Sequence, residues 1–442
     1  MNRKSLISAA TALLLTATAS FAQSLFDFPG FGPQPQARPE AAKPVEFDYN
    51  FDFQYFFDYR EFGYSDDMFM ASETYHLARL TPSFGIRVNT DNRFTHRILA
   101  GVDIMKNLGE NPIDDLIYST DEAEASLLNA KLFRSMILYY NLSSDTGRGK
   151  FDLYAGIYPR TVLDGEYSRA IFSESVKMTD PDLEGVTVKY EGRKFLAEAG
   201  IDWLGSMGLD RRERYMAYTA GSFKMFDWLS AGWDATYTHV GDSYIFSTCV
   251  DNVMANPFIK MDFGHALGMQ EFSIKGGALA SMQLDSDMET VPHFPVGAEA
   301  VVTLKNWGLG IENTVYYGDN MMPYRSSSYT GLTDTSHYTD LLYFGEPFFF
   351  TRRGYASGYD RLELFYEPFV SNGLSMRVSA VGHCIFPMSE AIGSFLGWQA
   401  KASLYFNLDT VRNPQKPQGT HKSSRKNVER TNPHSNGPEI RL

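Results

Sequence analysis

Between Phe47 and Tyr59 every odd position is aromatic (Phe47, Tyr49, Phe51, Phe53, Tyr55, Phe57, Tyr59), while the even positions read Asp48, Asn50, Asp52, Gln54, Phe56 and Asp58. Successive side chains of a β-strand point to opposite faces, so a strand here carries aromatics on one surface and mostly acids and amides on the other. A helix would smear both sets around its circumference. The pattern suits either the inner face of a soluble sandwich or a strand with lipid on one side and water on the other.

The rest of the chain separates these two. It has 442 residues, of which 14% are aromatic and 21% charged. Beyond residue 22 no stretch approaches the run of about 18 apolar residues that a spanning helix needs, which excludes a helical inner-membrane protein. From Phe47 to Leu408 the alternation instead repeats in segment after segment. Tyr75–Val88 sets Ala78, Leu80, Pro82, Phe84 and Ile86 against Arg79, Thr81, Ser83 and Arg87. Phe94–Met105 sets Ile98, Ala100, Val102 and Ile104 against Thr95, Arg97 and Asp103. Only the polar turn Asn89–Asn92 joins them, whereas Lys106–Asn129 is long and acidic.

Further short turns fall at Ser144–Gly147, Glu191–Arg193, Met225–Asp227, Asn306–Gly308 and Ser371–Gly373. A last segment, Leu396–Leu408, sets Leu396, Trp398, Ala400, Ala402 and Leu404 against Gln399, Lys401, Ser403 and Asn407. The pattern predicts about 16 strands of about 9 to 13 residues, the length a tilted membrane strand needs. Short turns gather at one end of the strands and nearly all long connections at the other. A sandwich would mix them at both ends, and a solenoid would show a fixed repeat that this chain lacks. The expected fold is therefore all-β: a transmembrane antiparallel up-and-down β-barrel spanning residues 46–408, with Phe47–Tyr59 closing against Leu396–Leu408.

The flanks read differently. Arg3 and Lys4, the apolar run through Leu13–Leu15 and the small residues at Ser20 and Ala22 have the order of an export signal over residues 1–22. Pro29, Pro33, Pro35, Pro39 and Pro44 mark residues 23–45 as an extended periplasmic leader, and residues 409–442 form a basic tail unable to build a core. Two cysteines, Cys249 and Cys384, are too few for a disulfide scaffold. A formal net charge of −13 argues against nucleic acid as a partner.

Function in such a scaffold belongs to loops. The connection after the fifth strand, Thr161–Glu184, carries Asp164, Glu166, Glu174, Asp180, Asp182 and Glu184 against Arg169 and Lys177. In this arrangement the chain resembles the general porins of the Gram-negative outer membrane, whose long loop after strand five folds into the channel. Tyr158-Pro159-Arg160 with Phe172-Ser173-Glu174-Ser175 is similar to a run in uncharacterised porin-like barrels of Bacteroidota. The chain departs from porins at its end, where Phe406 is followed by a polar tail.

The resemblance implies an outer-membrane location, outer-membrane lipid and the barrel-insertion machinery as partners, and a homotrimer. It further implies a constriction loop with Asp164, Glu166, Arg169 and Glu174, and a wall with Arg79, Arg87, Arg97 and Arg160. The expected function is passive diffusion of small hydrophilic solutes, with a preference for cations expected from the net acidity. The alternative is a non-conducting surface barrel whose long loops bind a carbohydrate or protein. For that reading the second excursion, Gly318–Gly358, offers Tyr324, Tyr329, Arg352 and Arg353 as ligand contacts.

Nothing points to catalysis, a cofactor or a metal. There is no His-Glu-x-x-His, no Cys pair at zinc spacing and no Gly-x-Ser-x-Gly. His239, Asp242 and Ser243 lie near one loop, but three common residues close in sequence do not make a triad.

Overall fold

The alternating segments form strands whose register closes on itself. The computed structural model describes residues 45–62, 72, 74–90, 93–108, 133–174, 176, 180–208, 211–241, 249–285, 292–323, 342–349, 357–371, 373–389 and 393–408. Residues 1–44 and 409–442, which hold the expected signal, nearly all of the leader and the tail, lie outside them, as do Lys177, Tyr324, Tyr329, Arg352 and Arg353.

In chain order the strands are β1 (Val45–Phe62), β2 (Thr74–Thr90), β3 (Phe94–Asn107), β4 (Phe133–Asp145), β5 (Gly149–Pro159) and β6 (Asp182–Gly192). They continue with β7 (Phe195–Gly205), β8 (Arg214–Phe226), β9 (Leu229–Val240), β10 (Val250–Asp262), β11 (Glu271–Asp285) and β12 (Val296–Asn306). The last are β13 (Leu309–Gly318), β14 (Ser357–Tyr366), β15 (Val370–Ser371), β16 (Leu374–Ser389) and β17 (Gly393–Asn407). Because β15 is a two-residue ladder within a turn, 16 strands build the wall, each antiparallel to its neighbours.

Closure runs through β1, which pairs with β17 from Asp52↔Asn407 to Phe62↔Gly397 and on its other edge with β2. The aromatic strand is thus the seam that the alternation predicts. Phe47 is 69% exposed, whereas Asp48, Asp52 and Asp58 are buried toward the lumen. Across the outer seam Phe51 meets Phe406 and Tyr59 meets Trp398, with ring centroids 6.4 and 5.3 Å apart. On the inner side Gln399 Nε2 donates to Asp58 at 3.3 Å, and Asn407 Nδ2 donates to Asp52.

The same two-sidedness holds around the wall. Ile98, Leu138, Val188, Ile259, Ile311, Leu364 and Trp398 are exposed on the outside, while Arg97, Asp103, Asp152, Lys189, Glu198, Asp234, Lys275, Glu299, Arg361 and Lys401 are buried within. An apolar outer band around a charged interior is the architecture of a porin-like membrane barrel. Among the described residues no helix is long and apolar enough to cross a membrane.

Turn chemistry sets the tight end. Trp307 and Gly308 have φ of 51° and 82°, the left-handed conformations of a two-residue hairpin between β12 and β13, and Trp307 is 84% exposed there. Two expectations need correction. Leu396, placed with the outer apolar set, joins a buried cluster with Phe62 and Phe349, because the β16–β17 register shifts between His383 and Cys384 and turns the strand. Asp182 and Glu184, read as loop, belong to β6; Asp182 receives Arg79 Nη2 at 2.7 Å, so its polarity marks an ion-paired strand end.

Candidate functional site

The connection from β5 to β6 begins with a single 3-10 turn, Arg160–Val162, and Arg160 clamps its neck. The Arg160 guanidinium reaches Asp180 Oδ2 at 2.6 Å and Asp202 Oδ2 at 2.9 Å, and its backbone N–H donates to Pro181 O. Both ends of the loop are thereby held against β7, and the residues between must lie over or inside the barrel.

Their partners place them inside. Asp164 Oδ2 is 2.5 Å from Lys189 Nζ on β6, and its backbone N–H donates to Glu198 of β7 at 2.8 Å. Tyr167 donates its hydroxyl to the same Glu198 at 2.8 Å. Glu166 lies 3.2 Å from Lys260 on β10 and 3.3 Å from Lys275 on β11. Ser168 donates its N–H to Asp234 on β9 and its hydroxyl to Glu299 on β12. Arg169 then reaches Glu312 on β13 at 2.9 Å, Glu346 at 3.1 Å, Glu174 at 2.7 Å and Glu363 on β14 at 3.6 Å. Glu174 also pairs with Lys401 on β17. From Asp164 to Glu174 the segment therefore touches lumenal side chains of strands on opposite sides of the barrel.

The charges on this loop are set by those neighbours. Burial works against a charged Arg169, yet the carboxylates of Glu346, Glu312 and Glu363 outweigh it and hold the guanidinium well above its ordinary pKa. Burial, reinforced by the negative charge of Glu198, raises the Tyr167 phenol and keeps it a donor.

Arg79, Arg87 and Arg97 stand on the inner wall and Arg160 at the neck of the loop, and acids other than Asp164, Glu166 and Glu174 take them. Arg79 binds Asp103 at 2.6 Å as well as Asp182, while Arg87 and Arg97 share Asp48 at 3.1 and 2.5 Å. The bases that face the loop acids are Lys189, Lys260, Lys275 and Lys401. Sequence reasoning missed them, although each lies at a lumen-facing position of an alternating strand, and that parity was the available signal.

A second inward element comes from the β13–β14 connection. Met321, Met322, Leu342, Tyr343, Phe348 and Phe349 are buried together with Ala170 and Ile171 of the first loop. Backbone bonds tie the two: Ser173 N to Phe344 O and Glu346 N to Arg169 O, both 2.7 Å. Gln283 on β11 donates to Met321 O at 2.9 Å and accepts from the Tyr343 hydroxyl at 2.8 Å. Toward the short turns the lumen opens instead into a cavity of about 410 Å³, lined by Arg97, Lys150, Asp152, Tyr154 and Lys189 together with Thr161, Val162 and Asp164 of the loop.

Asp242 and Ser243 lie outside the described residues, and His239 contacts Asp251. Neither cysteine is in a disulfide.

No protein-family model matches the chain. No curated protein matches its sequence. Among solved structures the fold is similar to OmpT, an outer membrane protein of Vibrio cholerae, at a TM-score of 0.45 and 9% identity over 83% of this chain and 99% of that one. A loop L8 deletion mutant of that protein has a TM-score of 0.46 and 11% identity, over 83% and 100% of the two chains. OccD3 (OpdP) of Pseudomonas aeruginosa is similar at a TM-score of 0.38 and 11% identity, over 84% and 97%.

Proposed function

We propose that this chain is an outer-membrane channel for small hydrophilic solutes, exported by the segment 1–22 and narrowed by the loop between β5 and β6. One observation carries the reading: from Asp164 to Glu174 the loop exchanges ion pairs and hydrogen bonds with lumenal side chains on β6, β7, β9 to β14 and β17. Barrels of about this strand number enclose an aqueous path, and rings of charge at a narrow point select what passes. The buried pairs favour a small, discriminating throat over a wide sieve. A cavity of about 410 Å³ on the short-turn side falls within the range of about 300–1,000 Å³ typical of small-molecule sites.

Single-channel recording in planar bilayers, with liposome swelling against sugars of graded size, tests this. Discrete low-conductance steps and a sharp size limit are expected. A silent bilayer favours the second reading, a closed surface barrel that binds a partner through its loops. The cluster of Met321, Met322, Phe348 and Phe349 packed against Ala170 and Ile171 speaks for that alternative.

A further inference from the structure

On the outside of the barrel, where β9 meets β10 next to a long connection, three metal-ligating side chains converge. Thr236, Thr238 and Val240 face inward and are buried, so the alternation turns Tyr237 and His239 outward. Asp251 stands directly across the ladder from His239, and Cys249, two residues earlier, shares its side. His239 Nδ1 is 2.8 Å from Asp251 Oδ1, and Cys249 Sγ is 4.0 Å from each ring nitrogen of His239. One ligand atom from each of the three residues lies within 4.8 Å of the other two.

The ion pair with His239 does not account for this arrangement. Asp251 Oδ1 already accepts from the Tyr237 hydroxyl at 2.7 Å, so it takes both neighbours. Among the described residues Asp251 Oδ2 has no hydrogen-bond partner, although the residue is only 3% exposed. A buried carboxylate oxygen left without a partner costs about 1–3 kcal/mol or more, and on the outer face of a membrane barrel no lumenal water relieves it. The Tyr215 ring, stacked on His239 at 5.0 Å, covers the imidazole.

We propose that His239, Cys249 and Asp251 form a Zn²⁺ site. Thiolate, imidazole and carboxylate together are a donor set that suits zinc, and tetrahedral zinc with usual bond lengths places S and N about 3.5 Å apart, a movement of about half an ångström from the arrangement here. Binding converts the Cys249 thiol to a thiolate and releases its proton, and the carboxylate supplies Oδ2. Three protein ligands leave the fourth position to water or an external donor. The metal would staple the start of β10 to the end of β9, at the base of the connection that joins them. The sequence shows no zinc motif because the ligands come from two strands and meet only through the ladder.

The test uses the full-length protein folded in detergent, with Zn²⁺ as the probe. Metal analysis after dialysis should find about one zinc per chain, and zinc should slow alkylation of Cys249 while leaving Cys384 unaffected. C249S and D251N should each weaken binding by roughly tenfold or more, and C384S should not. Co²⁺ in place of zinc should show a thiolate charge-transfer band that C249S abolishes. Wild type that binds no zinc, a Cys249 alkylation rate indifferent to zinc, or binding that survives in C249S overturns the site. The alkylation arm needs no variant, so a variant that fails to fold leaves the proposal testable.

Discussion

Arg169, in the middle of the lumenal loop, lies 2.9 Å from Glu312 on β13, and the same guanidinium is shared with Glu346 at 3.1 Å and Glu363 at 3.6 Å. This loop cation thus joins Arg361 in holding the buried Glu363 and the half-buried Glu312 and Glu346, across the barrel from the loop's neck at Arg160.

Removing it should release the loop. Arg169→Ala leaves Glu312, Glu346 and Glu363 with Arg361 and Arg377 as their remaining cations, and losing one partner from such a charge cluster costs up to about 3–5 kcal/mol. Urea unfolding from detergent or lipid should show the loss. Bilayer recordings should show a larger, noisier conductance than wild type; unchanged conductance with lowered stability would mean that the loop does not gate the path.

Ion selectivity should follow the cavity below the loop. Its acids Glu46, Asp52, Asp152, Asp164, Glu191 and Glu198 outnumber its bases Arg87, Arg97, Lys150 and Lys189. Reversal potentials across a salt gradient should therefore show cation preference, strengthened in Lys150→Glu and weakened in Asp152→Lys. Anion preference in the wild type would refute this prediction.

The outer face should tolerate no charge. Leu138 points outward on β4 between the inward, buried Ile137 and Tyr139, and is 47% exposed. Leu138→Arg should destabilise folding into lipid vesicles by about 2–4 kcal/mol if it sits near the bilayer midplane, less nearer an interface. The inward Asn141→Ser on the same strand should change stability by much less.

One pH effect is expected at the tight end. Glu367, in the turn after β14, is half-enclosed; burial acts to raise its pKa, but the hydrogen bond from Lys305 and the charge of Arg377 outweigh it and hold the carboxyl below its ordinary value. A depressed folded pKa means the stabilisation is fully present above the unfolded value of about 4.3 and is lost as pH falls through the lower folded value. Glu367→Gln should therefore be less stable than wild type at neutral pH, with the difference vanishing toward strongly acid pH. A gap between the two proteins that is constant across pH would contradict the assignment.

Much of the barrel was legible because a period of two survives translation into structure directly. Each of Phe47, Phe84, Ile98 and Trp398 needed only its parity to be placed outside, and Asn306-Trp307-Gly308 only its turn chemistry to be placed at an end. Strand limits were less legible where lumenal polarity imitates a loop, as at Asp182. The placement of Leu396 failed because a bulge is invisible to a parity count.

The sequence by itself determined a two-faced, sixteen-strand wall, its seam and the sorting of its connections, because alternation and turn residues are local properties of the chain. Which charges meet was decided only by the tertiary structure. Glu166 and Lys275, Glu174 and Lys401, and Ser168 and Glu299 are distant in sequence and meet only because the closed cylinder brings its far wall within reach of one loop. Ion pairs of this kind depend on distance and burial, and neither exists until the barrel closes.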